Sequence, residues 1–94
     1  MRRTKDTLTV RLPDGASLGF EGRAAWALRH LHKAGPAGLT TLQQPAPRWS
    51  HYIYLLRKAG LTITTEHESH GGTYAGHHGR YRLETPLTIV KEAA

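Results

Sequence analysis

The sequence of 94 residues contains no cysteine and only seven acidic residues. The absence of cysteine excludes disulfide bonds, cysteine-ligated zinc and thiol catalysis. Aspartate occurs only at Asp6 and Asp14, and no two carboxylates have a spacing that suggests acid–base catalysis. No apolar run approaches the roughly 18 residues that a membrane-spanning helix needs. A chain of this length has room for one core, so we expect a single domain over residues 1–94.

The scarcity of acidic residues leaves an excess of positive charge. Thirteen lysines and arginines against seven acidic residues give a formal net charge of +6 with histidine neutral. Such an excess favours a polyanionic partner, most often nucleic acid. The basic start of the chain is not followed by an apolar segment, so we predict no secretion signal and a cytoplasmic protein. We find no nucleophile elbow and no phosphate-binding glycine loop, so we predict that the protein is not an enzyme and uses no cofactor.

The first part of the chain predicts a β-hairpin and then helices. Apolar and polar side chains alternate over residues 7–12, a turn follows at Pro13–Gly15, and residues 17–20 return, which predicts an N-terminal hairpin over 7–20. Helical spacing predicts three helices over residues 22–59. The first ends before Gly35, the second is a short helix over residues 40–44, and the third runs from about Pro47 to Ala59.

The last part of the chain predicts a second hairpin. Residues 61–67 are rich in threonine and isoleucine, residues 80–84 alternate, and a segment rich in glycine and histidine connects them. We therefore predict two antiparallel strands with a long tip over residues 61–84. Residues 86–90 predict an additional edge strand beside the N-terminal one.

This order of elements, together with residues 50–66 and Gly79–Leu83, resembles small winged helix DNA-binding proteins of bacteriophages and prophages. In that family a recognition helix ends in a Leu-Arg-Lys-x-Gly turn, continues into the first wing strand and is followed by a Tyr-Arg-Leu strand. The resemblance implies an α+β winged helix-turn-helix fold of three helices and a β-hairpin wing, here extended by the N-terminal hairpin. It also implies double-stranded DNA as the partner, and a bacterial regulator or an accessory protein of replication or excision.

The third helix carries the first group of candidate DNA contacts. Helical geometry places Trp49, Ile53 and Leu56 inward and the first turn of the helix at the end that enters a major groove in helix-turn-helix proteins. Arginine can bond guanine there, and serine and histidine can contact base edges or phosphates. The predicted contacts on this helix are Arg48, Ser50 and His51 at the bases or phosphates, with Arg57 and Lys58 at the backbone. An ordinary solvated face is the alternative.

The wing carries the second group. Arg80 and Arg82 alternate with Tyr81 and Leu83, so both arginines are predicted on the outer face of one strand, within reach of phosphates. His77 and His78, beside glycines in the tip, are predicted to approach the DNA as well. Solvated arginines on a surface hairpin are again the alternative. If five or six cations contact phosphates, the logarithm of affinity falls with that of salt concentration at a slope near −5.

The wing histidines also raise the question of metal. His67, His70, His77 and His78 could converge across the hairpin with Glu66 or Glu68, but neighbouring strand residues point to opposite faces, so we predict no metal site. Because an unperturbed histidine titrates near 6.5, an electrostatic role is the other prediction: DNA binding would strengthen modestly between roughly pH 8 and pH 6.

Two apolar residues on the outer face of the third helix point to another use of the fold. Tyr54 and Leu55 would be costly to expose together, which favours a protein contact such as a homodimer interface. The alternative function is therefore a winged helix module for protein–protein interaction, using these residues and the N-terminal hairpin. We expect no contact with a membrane.

Overall fold

A computed structural model describes residues 6–41, 48–71 and 76–93. These residues form two antiparallel three-stranded sheets and two α-helices, together with a single 3-10 turn over Gly35–Ala37. In chain order the elements are β1 (Thr7–Arg11), β2 (Ser17–Glu21), α1 (Gly22–Ala34), β3 (Leu39–Thr40), α2 (Trp49–Lys58), β4 (Ile63–His70), β5 (Gly76–Leu83) and β6 (Thr88–Ala93).

The first sheet has the strand order β2-β1-β6. The predicted N-terminal hairpin is confirmed as β1 and β2, and Asp14 stabilises its turn by accepting a hydrogen bond of 2.9 Å from the backbone N–H of Ala16. β6 pairs with the other edge of β1, with a bulge between the pairs Thr9–Lys91 and Val10–Ile89. Residues from the beginning and the end of the described chain therefore share one sheet.

The second sheet has the order β3-β5-β4, and β4 with β5 forms the wing. The two wing strands pair from Ile63–Leu83 out to His70–Gly76. They extend further than the predicted strands because the glycine- and histidine-rich residues on both sides of the tip continue the pairing. Tyr81 stacks on Trp49 with ring centroids 6.4 Å apart, so one face of the wing packs against α2.

The prediction of three helices is wrong: the described residues contain two α-helices. Leu39 and Thr40 form strand β3, paired with Tyr81 and Arg80 of β5, where the short second helix was expected to begin. A β-branched residue fits a strand better than a helix, and Thr40 is only 2% exposed between its neighbours. Most of that expected helix, residues 42–44, lies outside the described residues, as does Pro47 at the expected start of the third helix.

β3 approaches β5 closely because the residue before it is glycine. Gly38 has φ of 70°, and a Cβ atom there would lie 2.6 Å from the carbonyl oxygen of Tyr81 and 2.8 Å from Cγ of Arg82. Neither the backbone angle nor the space admits a side chain. This glycine therefore allows the chain leaving α1 to enter the wing sheet.

The core lies where the two helices meet both sheets. α1 contributes Ala25, Ala27, Leu28 and Leu31, and α2 contributes Trp49, Tyr52, Ile53 and Leu56. The sheets complete the core with Leu8, Val10, Phe20, Leu39 and Ile63, and Leu61 joins them from the segment between α2 and β4. This packing fixes which face of α2 points outward.

Candidate nucleic-acid interface

α2 presents an outward face that is free of carboxylates. Its buried stripe packs against α1 and the wing, which leaves Ser50, Tyr54 and Lys58 exposed on the opposite face. His51 and Leu55 are half-buried on the flank of that face. The helix contains no acidic residue, and its last turn carries Arg57 and Lys58. We call this surface, residues Ser50, His51, Tyr54, Leu55 and Lys58, the outer face of α2.

Arg48 stands at the start of α2 in a left-handed conformation. Its φ is 68° and ψ is 27°, while its carbonyl oxygen accepts the first helical hydrogen bonds from the backbone N–H groups of His51 and Tyr52 at 3.0 and 3.2 Å. The side chain is exposed. Arg48 therefore adds a cation beside Ser50 and His51, so the structure brings together the three predicted contacts of the first turn.

Arg57 joins α2 to the wing. Its guanidinium donates hydrogen bonds through Nε and Nη2 to the carbonyl oxygen of Ile63, and through Nη2 to the hydroxyl of Thr65 at 2.9 Å. The side chain stays exposed while making these bonds. The wing thus holds the charge of Arg57 on one flank of the outer face of α2.

The two wing arginines share a face, as alternation predicts, but that face points away from α2. Tyr81 lies between them and packs on Trp49, so its two neighbours project to the other side of the sheet. Arg80 is 2.6 Å from Glu68 and donates to the carbonyl oxygen of Ala37 at 3.0 Å. Arg82 contacts Glu66 and donates to the carbonyl oxygen of Pro36 at 3.1 Å.

These ion pairs change the titration of the wing. The hydrogen bond from Arg80 lowers the pKa of Glu68 below its ordinary value, and the bond to Glu68 raises the pKa of Arg80. The positive charge of both arginines is thus largely matched by carboxylates of the neighbouring strand. Their phosphate contacts would require competition with Glu66 and Glu68.

The predicted histidine contacts lie on strand β5. His78 is half-buried, and its Nε2 lies 3.0 Å from Oε1 of Glu68 across the strand pair. The expectation that His78 belongs to a glycine-rich tip is therefore wrong, because the pairing of the wing continues past it. The side chains of His77 and His70 lie outside what the structure describes. Within the described residues, no three histidine or acidic side chains are grouped as a metal site would require.

The predicted protein contact is divided between one exposed and one half-buried residue. Tyr54 is 57% exposed, and the ammonium group of Lys58 lies 6.0 Å from the centroid of its ring. Leu55 is half-buried on the flank. The exposed apolar area on α2 is therefore mainly one tyrosine ring.

Sequence reasoning assigned no function to Arg23, in the first turn of α1. Its guanidinium carbon lies 4.0 Å from the ring centroid of Trp26, and its Nε donates to the hydroxyl of Tyr52 on α2 at 3.3 Å. The spacing of three residues between Arg23 and Trp26 on a helix is a signal that could have indicated this stacked pair.

The arrangement of a helix packed beside a β-hairpin can be compared with known families. Residues 17–93 match the profile of winged helix domains. The chain belongs to the winged helix domain family. This match confirms the predicted winged helix, and winged helix domains are typically DNA-binding modules without catalytic activity. Searches of curated proteins and of solved structures return no significant match.

In the described part of this winged helix domain, no helix is long and apolar enough to cross a bilayer.

Proposed function

We propose that this winged helix domain binds double-stranded DNA and that the outer face of α2 enters the major groove. The observation that carries the proposal is the charge of this surface: α2 has no carboxylate, and its outer face carries Lys58. Arg48 and Arg57 lie beside that face, at the start of the helix and on its flank. A major groove about 12 Å wide accommodates one helix, and arginine and histidine are suited to contacts with bases or phosphates.

The proposed contacts fall into two groups, those at α2 and those on the wing, where carboxylates already pair with both arginines. Arg48, Ser50 and His51 lie at the start of α2, Lys58 lies on the same face at its end, and Arg57 is held on the flank. Arg80, Arg82, His77 and His78 are secondary contacts. Because Glu66 and Glu68 hold the two arginines and His78, a phosphate must displace these carboxylates first.

Binding can be tested with fluorescently labelled duplexes titrated at salt concentrations from about 50 to about 200 mM. Each phosphate contact contributes about −0.9 to the slope of log affinity against log salt, so the three cations around α2 predict a slope of about −3 or steeper. The slope of −5 expected from the sequence would also need the wing arginines. The variant Arg48→Gln with Lys58→Gln should lose most of the affinity.

A matched control removes the same charge elsewhere. Arg11 and Lys91 are exposed on the first sheet, and α1 packs between that sheet and α2. The variant Arg11→Gln with Lys91→Gln should bind almost as well as the wild-type domain. Absence of a complex at low salt, or equal losses in both variants, would contradict DNA binding through α2.

A finer proposal is that the domain regulates transcription or assists replication or excision in a phage or prophage. It rests on the resemblance of residues 50–66 and 79–83 to such proteins. Competition between random duplexes and duplexes from the genomic region around its gene tests it. A regulator prefers one site by about a thousandfold or more over random DNA, whereas an architectural protein binds all sequences similarly.

The exposure of Tyr54 favours a second candidate function, protein–protein interaction. An aromatic ring on a helix face is a common anchor of protein interfaces. The variant Tyr54→Ser with Leu55→Ser should then abolish self-association in sedimentation velocity. A wild-type domain that stays monomeric at high concentration would count against a homodimer.

A further inference from the structure

Arg23 is a surface arginine whose guanidinium is oriented by neighbouring aromatic side chains but is not paired with a described carboxylate. Its guanidinium lies over the ring of Trp26 and within 5.6 Å of the ring centroid of Tyr52, while its Nε donates to the Tyr52 hydroxyl. In the described part of the chain it has no carboxylate partner, unlike Arg29, Arg80 and Arg82. The two terminal NH2 groups of Arg23 are therefore available to a ligand.

Arg23 lies on the flank of α2 opposite to the wing. It bonds Tyr52, whereas Arg57 on the same helix bonds Ile63 and Thr65 of the wing. Five residues separate the two positions on α2, which places them about 140° apart around the helix axis. The outer face of α2 lies between them on the remaining arc, so the two arginines border this face on its two sides.

This arrangement suits the dimensions of a DNA groove. A helix with its side chains is about 10–12 Å across, and a major groove is about 12 Å wide. When a helix enters the groove, groups on its two flanks face the phosphates of the two strands. With α2 in such a groove, Arg57 would face one strand from the wing side, and Arg23 would face the other from the first turn of α1.

We propose that Arg23 is the phosphate contact on the flank of α2 away from the wing, pre-oriented by Trp26 and Tyr52. The inference rests on the proposed function, in which α2 enters the major groove. A planar guanidinium stacked on an indole and bonded at Nε keeps its terminal groups in a fixed direction, and that fork matches two phosphate oxygens. Lysine has no such fork, so it cannot replace arginine fully at this position.

The test compares the salt dependence of duplex binding in single variants. Arg23→Gln should lower affinity about five- to tenfold at about 100 mM salt and reduce the slope by about one. The loss should be the same for unrelated duplex sequences, since a phosphate contact reads no bases. Lys33→Gln is the matched control, because it removes the same charge from the last turn of the same helix.

Two further variants separate orientation from charge. Tyr52→Phe removes the hydroxyl that accepts from Arg23 but keeps both the ring and the charge, so affinity should fall two- to threefold with little change in slope. Arg23→Lys should also keep most of the slope and lose affinity. Thermal unfolding of each variant shows whether the fold is retained.

The outcomes distinguish this inference from the proposed function. A wild-type domain that binds duplex DNA, with Arg23→Gln showing the same slope, would overturn the assignment of Arg23 alone. Equal effects of Arg23→Gln and Lys33→Gln would do the same, because they would reflect net charge. A wild-type domain that binds no duplex would overturn the proposed function and this inference with it.

Discussion

Arg48 is the residue other than glycine, among those the structure describes, that has a positive φ angle, 68°. Its side chain is exposed. A left-handed conformation costs a residue with a Cβ about 1–2 kcal/mol. Arg48 therefore places an exposed cation at the start of α2 in a backbone conformation that lowers local stability.

Replacement of Arg48 by glycine should separate stability from binding. Arg48→Gly should raise the free energy of unfolding by up to about 1 kcal/mol, because glycine adopts positive φ freely and the gain is partly offset by its flexibility when unfolded. The same variant should bind duplex DNA more weakly. Arg48→Ala is the control, since it removes the charge without relieving the backbone. Urea unfolding that shows Arg48→Gly to be less stable than Arg48→Ala would contradict this explanation.

The wing arginines show what a sequence can and cannot predict for single residues. Alternation along one strand predicts that Arg80 and Arg82 share a face, and they do. Their neighbours on that face depend on the register between β4 and β5, which brings Glu66 and Glu68 into contact with them. Register across a hairpin is set by its turn and its long-range packing. The ion pairs could therefore not be read from the strand itself.

Among the secondary-structure elements, the short strand β3 depends on one particular residue, the glycine directly before it. Gly38 and Gly35 have similar backbone angles, with φ of 70° and 62° and ψ of −177° and −148°. A Cβ at Gly38 would collide with the backbone of β5, whereas nothing lies within 4 Å of a Cβ at Gly35. Both glycines therefore have a backbone conformation that disfavours a side chain, but only Gly38 also lacks the space for a Cβ atom.

Alanine substitution at these two glycines should show the difference. Gly38→Ala should cost about 2–4 kcal/mol of unfolding free energy, from both the strained backbone and the collision with Tyr81. Gly35→Ala should cost only the conformational part, about 1–3 kcal/mol. The two unfolding transitions measured in denaturant give the comparison. Equal losses would mean that β3 can move away from β5 without cost.

The elements themselves were predictable where they depend on local patterns. Alternation and the turn at Asp14 predict β1 and β2, and helical spacing with a terminal glycine predicts α1. The short helix expected from Thr40 was not predictable as a strand, because Leu39 and Thr40 become extended by pairing with β5, some forty residues later in the chain. A segment of two residues carries too little pattern to indicate such a distant partner.

At the scale of the whole molecule, two groups should make stability depend on pH. Burial beside Trp26 and nearby cations lowers the pKa of His30 below its ordinary value of 6.5, and Arg80 lowers the pKa of Glu68 below 4.5. As the pH falls below about 6.5, the unfolded chain binds a proton that folded His30 resists, so stability decreases. Below about 4.5, protonation of Glu68 in the unfolded chain decreases it again.

The expected result is a loss of stability in two steps on acidification, measured by denaturant unfolding between about pH 8 and pH 3. His30→Phe, which keeps a ring beside Trp26, should remove the step that begins near pH 6.5. Glu68→Gln should reduce the step at lower pH and leave the first one. A wild-type stability that stays constant between pH 7 and pH 5.5 would contradict the role given to His30.

The distribution of charge along the sequence can also be interpreted only once the fold of the whole molecule is known. Up to Ala34 the chain has seven basic and three acidic residues, and from Gly35 onward it has six and four. The helix and the wing with the proposed contacts thus belong to the less basic part of the sequence. The fold brings Arg23 from the other part to α2, which no inspection of local charge would predict.

The position of β1 between β2 and β6 has a consequence for the order in which the chain folds. β2 follows β1 directly, but Thr9 pairs with Lys91, so about eighty residues must be synthesised before the second partner of β1 exists. Until then one edge of the hairpin stays open to other chains. Completion of this sheet therefore has to wait until the residues of β6 have been synthesised.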